Sequence, residues 1–115
     1  MKTVYRSNPT PDAMFRAFSD RTRLRILNLL GGGELCVCDI MTTLAIPQAK
    51  ASRHLAYLRR TGLVNVRKEG LWSHYSLAPA KNTFHASLLE CLTNCFNEMP
   101  KFSQDRKRLK KTRCC

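Results

Sequence analysis

Cysteine is the residue that first suggests chemistry here. Six occur in 115 residues, as three close pairs: Cys36 with Cys38, Cys91 with Cys95, and Cys114 with Cys115. One residue separates the first pair. Inside a helix that spacing sets the side chains about 200° apart, which prevents chelation; in extended chain both point the same way. Gly31, Gly32 and Gly33 come just before, so a following helix is only starting at Cys36. Chelation there would hold the first turn open, and a helix N-terminus lowers a thiol pKa toward the ligating thiolate. The plain alternative is two small buried core residues. Cys91 and Cys95 are four apart on one helical face. That spacing bridges one soft ion or, across a twofold axis, builds a cluster of four thiols. It suits small apolar filling of a dimer seam equally well. Cys114 and Cys115 close a basic run, where a structural role is not expected. They offer a third thiolate to a site elsewhere, or are exposed reactive thiols. The opening MKTVYRSNPT has no apolar leader-like stretch, so a cytoplasmic setting is expected. Thiols there are reduced, which puts metal, metalloid or redox chemistry ahead of disulfides.

Charge is the second signal. Twenty Lys and Arg against eight Asp and Glu leave a net +12, an excess that calls for a polyanionic partner, most often nucleic acid. No apolar run nears the roughly 18 residues of a membrane span, and no membrane partner is expected. The segment PQAKASRHLAYLRRTG sharpens the reading. At about 100° per residue, Ala51, Leu55 and Leu58 gather on one side, with Ala49, Lys50, Arg53, Ala56, Tyr57 and Arg60 opposite. The outer side has no acid. Small residues at 49 and 56 let the backbone approach a groove, and Lys50 and Arg53 reach bases or phosphates. Gln48 and Ser52 add hydrogen-bonding groups near the N-terminus, where the helix dipole favours phosphate. Arg67 and Lys68, at an expected hairpin tip, would supply a second phosphate contact. Without that hairpin the face would read as an ordinary solvated surface. His54, at the edge of the buried side, reads as a packing residue or phosphate contact rather than a metal ligand.

These residues need elements to hold them. A first helix is expected over 11–19, with Met14, Ala17 and Phe18 on one face. A second is expected over about 21–31, with Asp20 as N-cap and Leu24, Leu27 and Leu30 facing in. A short third helix over roughly 37–45 is followed by a fourth that Pro47 opens and Gly62 stops. From Leu63 the period changes to two, and LVNVRK, a turn around Glu69 and Gly70, and LWSHYSL read as a hairpin. Beyond Pro79 a longer helix carries Phe84, Leu88, Cys91, Cys95 and Met99, with Leu92 in the same association seam. Pro100 separates it from a basic segment with seven basic residues and one acid in the last fifteen, read as a helix running into a frayed tail. The pattern predicts a mainly α chain with a small β-hairpin: a dimeric winged helix-turn-helix. Residues 1–100 would form the DNA-binding and dimerisation domain, and 101–115 the basic helix and tail.

FSDRTRLRILNLL, then ELCVCDI, then SRHLAYLRRTGLVNVRKEGLWSHYSL resembles the ArsR/SmtB family of metal- and metalloid-sensing repressors. The resemblance spans roughly residues 12–99, and its most specific part is ELCVCD followed by SRHLAYLR. It implies a homodimeric winged-helix repressor that leaves its operator DNA when an inducer binds. In the arsenic-responsive branch the cysteines of ELCVCD bind As(III) or Sb(III), and they match Cys36 and Cys38. Many such proteins carry a third cysteine three residues after the second. Here that position is Met41, whose thioether cannot replace a thiolate for As(III). The zinc-sensing pattern on the last helix is not matched, since His85 stands alone. The rival expectations are a repressor whose cysteine pair is oxidised, one responding to another soft metal, and a small thiol-rich metal carrier. An enzyme is not expected: there are no paired catalytic carboxylates, no Gly-rich phosphate loop and no nucleophile motif.

Overall fold

A computed structural model describes residues 9–112; the readings for Cys114 and Cys115 lie outside the described residues. The elements are α1 (Pro11–Phe18), α2 (Arg21–Leu30), β1 (Leu35–Cys36), α3 (Val37–Leu44), α4 (Gln48–Arg60), β2 (Val64–Glu69), β3 (Trp72–Leu77), α5 (Thr83–Asn94) and α6 (Pro100–Thr112). Local chemistry sets most of the boundaries. Thr10 Oγ1 accepts from the Ala13 amide ahead of Pro11, and Asp20 Oδ1 accepts from the Arg23 amide at 3.0 Å, capping α1 and α2. Asn82 Oδ1 does the same for α5 through the His85 amide at 2.8 Å. Ala45, in the left-handed region at φ 56°, closes α3, and the amide of Ile46 returns to the Met41 carbonyl. Three residues, 45–47, therefore turn the chain from α3 into α4, the tight corner of a helix-turn-helix.

The hairpin expected from the period of two is present, with Val66 opposite Tyr75 and Glu69 opposite Trp72. It gains a strand that periodicity did not show. Leu35 and Cys36 pair antiparallel with Tyr75 and His74, giving a three-stranded sheet in the order β1, β3, β2. Two residues are too few to carry an alternating pattern. The core joins Met14, Ala17, Ile26, Leu27, Leu30, Ile40, Leu55, Leu58, Leu63 and Val64, each large side chain contributing about 1.5–3 kcal/mol on burial.

Two expectations for the C-terminal third are corrected. The striped helix stops at Asn94, a 3-10 turn covers Phe96–Glu98, and Met99 is extended at ψ 122°, so Met99 leaves the stripe. A residue before proline is disfavoured in the α region, and Pro100 takes the first position of α6 instead. Leu92, expected in an association seam, is 1% exposed inside the protomer's own core.

The basic segment is a helix docked on α2 and α3. Arg25 donates from Nε and Nη2 to both carboxylate oxygens of Asp105, at 2.8 and 3.0 Å. Asn28, fully buried in α2, donates to the Phe102 carbonyl and accepts from Arg106 Nε, each at 3.0 Å. Arg106 also donates to the Asn28 carbonyl. Thr43 and Thr112 share a hydroxyl hydrogen bond at 3.0 Å, which puts the far end of α6 beside α3. Gly31 permits this closeness, since a Cβ there would meet Arg106 Nη2 at 3.0 Å and Thr93 Cγ2 at 3.2 Å. With α6 over a second face, α2 is buried continuously from Ile26 to Leu30, beyond the single stripe of Leu24, Leu27 and Leu30.

Candidate functional site

On α4, Ala51, Leu55 and Leu58 are buried, while Gln48, Ala49, Ser52, Arg53, Ala56, Arg59 and Arg60 are exposed. Lys50 is half-buried. The outer face is free of acid and rich in donors, as a helix in a DNA groove requires. Two residues belong partly to the seam behind it. The Arg23 guanidinium lies 4.1 Å from the Tyr57 ring centroid and is held by the Ala17 and Arg16 carbonyls, so Tyr57 ties α4 to α1 and α2. His54 is half-buried; burial pulls its pKa down, partly opposed by the Asp20 carboxylate. A cleft of about 240 Å³ between α4 and the hairpin is lined by Ser52, Ala56, Arg59, Arg60 and Tyr75. Arg59 and Tyr75 escaped the sequence reading, because neither the hairpin's position nor the cleft is visible before the chain folds.

At the hairpin, Lys68 is exposed. Arg67 is engaged: it donates to Glu34 Oε1 at 2.7 Å and Oε2 at 3.1 Å, and to Glu69 at 3.3 Å. The same Arg67 hydrogen bond holds the Glu34 carboxyl below its usual range. A phosphate would have to compete with Glu34 for this guanidinium. The tip adds Leu71, fully exposed, and Trp72, 55% exposed.

Cys36 is the N-cap of α3, extended at φ −84° and ψ 163°, and Cys38 lies in the first turn. The extended-then-helical junction inferred from the triple glycine is therefore where the pair sits. Cys36 is buried and Cys38 half-buried. Cys36 Sγ is 3.5 Å from Oδ2 of buried Asp39, and Cys36 stands opposite His74 in the sheet register. One expectation is revised: Cys36 and Cys38 are each in a disulfide in the structure rather than reduced, whereas Cys91 and Cys95 are free thiols. Cys91 and Cys95 are exposed neighbours, and the hydrogen bond with Cys91 pushes the Cys95 thiol up, away from thiolate. Among the described residues, no group of three His, Cys, Asp or Glu is placed to hold a metal ion. Buried His85 accepts the Lys81 amide on Nδ1 at 3.1 Å, and burial pulls its pKa down.

Phe84 and Phe15 meet edge to face at 5.7 Å on the surface formed by α5 and α1, 36% and 56% exposed. Cys91 and Cys95 are exposed on the same helix, and Leu88 is half-buried. No helix among the described residues is long and apolar enough to cross a membrane.

The family profile described as "Bacterial regulatory protein, arsR family" matches residues 20–66. An arsenical resistance operon repressor of Escherichia coli is 45% identical over 89 residues, which cover 76% of each chain. HlyU from Vibrio cholerae superposes with a TM-score of 0.63 at 37% identity, over 70% of this chain and 85% of that one. A homodimeric winged helix-turn-helix DNA-binding domain from Mycobacterium bovis superposes with a TM-score of 0.62 at 30% identity, over 78% and 81% of the two chains. The chain thus belongs to the arsR family of bacterial regulatory proteins: it is a winged helix-turn-helix DNA-binding repressor of transcription, not an enzyme.

Proposed function

We propose that this repressor works as a homodimer and leaves its operator when As(III) or Sb(III) is ligated by the Cys36 and Cys38 thiolates. The observation that carries the reading is the position of the pair. Cys36 ends a strand of the wing sheet, and Cys38 lies in the first turn of the first helix of the helix-turn-helix. A bound ion would cross-link these two sulfurs and constrain the backbone between them. α3 packs on α4, and β1 on β3, so both DNA-facing elements abut the constrained junction. Glu34, two residues before Cys36, also sets whether Arg67 is available to phosphate. A coupling of about 1–3 kcal/mol suffices for a 5- to 150-fold change in operator affinity, and DNA must weaken inducer binding equally. The arsenical resistance repressor of Escherichia coli supports the choice of inducer by its similarity. A redox-responsive repressor is the second reading, favoured by the disulfide-bonded state of both Cys36 and Cys38. Titrating one reduced sample on operator DNA with As(III), Sb(III), Zn(II), Cd(II) and peroxide separates the two. Release by peroxide alone would replace the metalloid reading with the redox one.

For DNA binding, two α4 helices of a dimer would enter successive major grooves about 34–36 Å apart. Arg53→Ala is expected to cost about 1–3 kcal/mol and relax preference at one base position. Fluorescence anisotropy across a salt series on operator and scrambled duplexes measures this. Equal affinity for both duplexes, before and after the change, would contradict base reading by Arg53.

Phe15, Phe84 and Leu88 form the apolar surface assigned to the dimer, with Cys91 and Cys95 beside it and Leu92 behind it in the protomer core. Phe84→Asp is expected to shift the protein to monomer at micromolar concentration in sedimentation velocity, because a charge there would be buried without a partner. An unaltered dimer would move the interface elsewhere.

A further inference from the structure

α6 carries six cations and one acid, and only part of that charge is used in docking the helix. Asp105 is turned inward onto Arg25, and Arg106 is held by Asn28. Lys107, Arg108, Lys110 and Lys111 are left exposed. Among the described residues the ion pairs lie elsewhere: Arg16 with Asp12, Arg25 with Asp105, Arg67 with Glu34 and Glu69, and His74 with Glu69. Cations in a last turn suit the helix dipole, which accounts for Lys110 and Lys111. It does not account for Lys107 and Arg108, and like charges four apart, as at Lys107 and Lys111, weaken a helix. A cleft of about 240 Å³ is lined by Gln104, Lys107, Arg108 and Lys111. Three cations and one amide are a donor set that suits a phosphodiester.

The docking of α6 relates this face to DNA. Thr112 shares its hydroxyl hydrogen bond with Thr43, near the end of α3. Thr43 stands five positions before Gln48, where α4 begins, and five residues span at most about 18 Å. α3 packs on both α4 and α6. The first helix of a helix-turn-helix crosses the DNA backbone while the second enters a major groove about 12 Å wide. The backbone bordering that groove and the end of α6 therefore lie on the same scale of distance from the α4 N-terminus. Resting on the DNA-binding role of α4, and independently of the inducer, we infer that the exposed basic face of docked α6 contacts phosphates bordering each half-site of the operator. This face extends the interface beyond α4 and the hairpin, and it adds affinity without sequence preference.

The test removes equal charge from two places. Lys107→Gln/Lys111→Gln neutralises the cleft, and Lys81→Gln/Lys101→Gln neutralises two exposed lysines, one before α5 and one at the opposite end of α6. All four side chains are exposed, so the Tm should barely change in either variant. Anisotropy is read on operator and scrambled duplexes across a salt series. Neutralising the cleft should flatten the slope of log K against log salt by about 2–4, since a dimer loses four cations at about 0.9 per phosphate. Affinity should fall about tenfold or more at physiological salt, by the same factor on both duplexes. The Lys81 and Lys101 variant should shift the slope by less than about one, and Lys107→Arg/Lys111→Arg should keep the parent slope. Equal flattening by both glutamine variants, or none by the cleft variant, overturns the contact, as does a changed ratio between operator and scrambled duplex. A parent protein with no preference for operator over scrambled duplex would instead overturn base reading by α4, which the slope does not report.

Discussion

Replacing either Cys36 or Cys38 with serine should leave operator affinity within about twofold and remove release by As(III). Serine keeps the volume of cysteine but offers a hard hydroxyl in place of a soft thiolate. The fold should tolerate both changes. Cys36 is the N-cap of α3 with no side-chain capping hydrogen bond, and serine is among the preferred N-caps. Cys38 lies half-buried in the first turn, where serine is accepted. The expected loss is the whole coupling, about 1–3 kcal/mol or 5- to 150-fold in operator affinity at saturating inducer. Anisotropy on labelled operator with an arsenite titration reads it directly. Cys91→Ser/Cys95→Ser should retain release, since those thiols are exposed on α5 and Cys95 is held away from thiolate. If that variant ignores As(III) while the Cys36 and Cys38 variants respond, the sensing site lies on α5 and not at the start of α3.

Asp105→Ala should be the most destabilising single change on the α6 side. Asp105 accepts both hydrogen bonds of the Arg25 fork, and the two side chains are 4% and 16% exposed. Removing one partner strands a charge in a largely dry site, typically about 3–5 kcal/mol. Against a total of roughly 5–15 kcal/mol for a domain, that is a large share. At about 4–8 °C per kcal/mol for a chain near 100 residues, the Tm should fall by more than about 10 °C. Replacing both partners with apolar residues of similar volume should recover much of the loss, because the desolvation cost goes too. Thermal and urea denaturation of the two variants decide it. A loss below about 1 kcal/mol for Asp105→Ala would mean that α6 does not dock in solution.

What the amino-acid sequence determined by itself is whatever depends on local periodicity and residue chemistry. The N-cap at Asp20, the buried side of α4, its acid-free outer face and the hairpin follow from local residue chemistry and spacings of three, four and two, which need no tertiary partner. The Cys36–Cys38 pair was readable for the same reason, since three glycines and an incipient helix fix where extended chain becomes helical. The rest was decided by contacts between residues far apart in the chain. A two-residue strand has no period, so β1 exists only because β3 is there to pair with it. Arg67 reads as a phosphate contact until folding brings Glu34 within 2.7 Å. The basic segment reads as a helix running into a frayed tail, its one acid looking incidental; only the packing shows Asp105 buried against Arg25, 80 positions earlier, and Asn28 buried to receive Arg106. A buried charge is tolerable only with its partner in place, and no local spacing encodes where that partner will be.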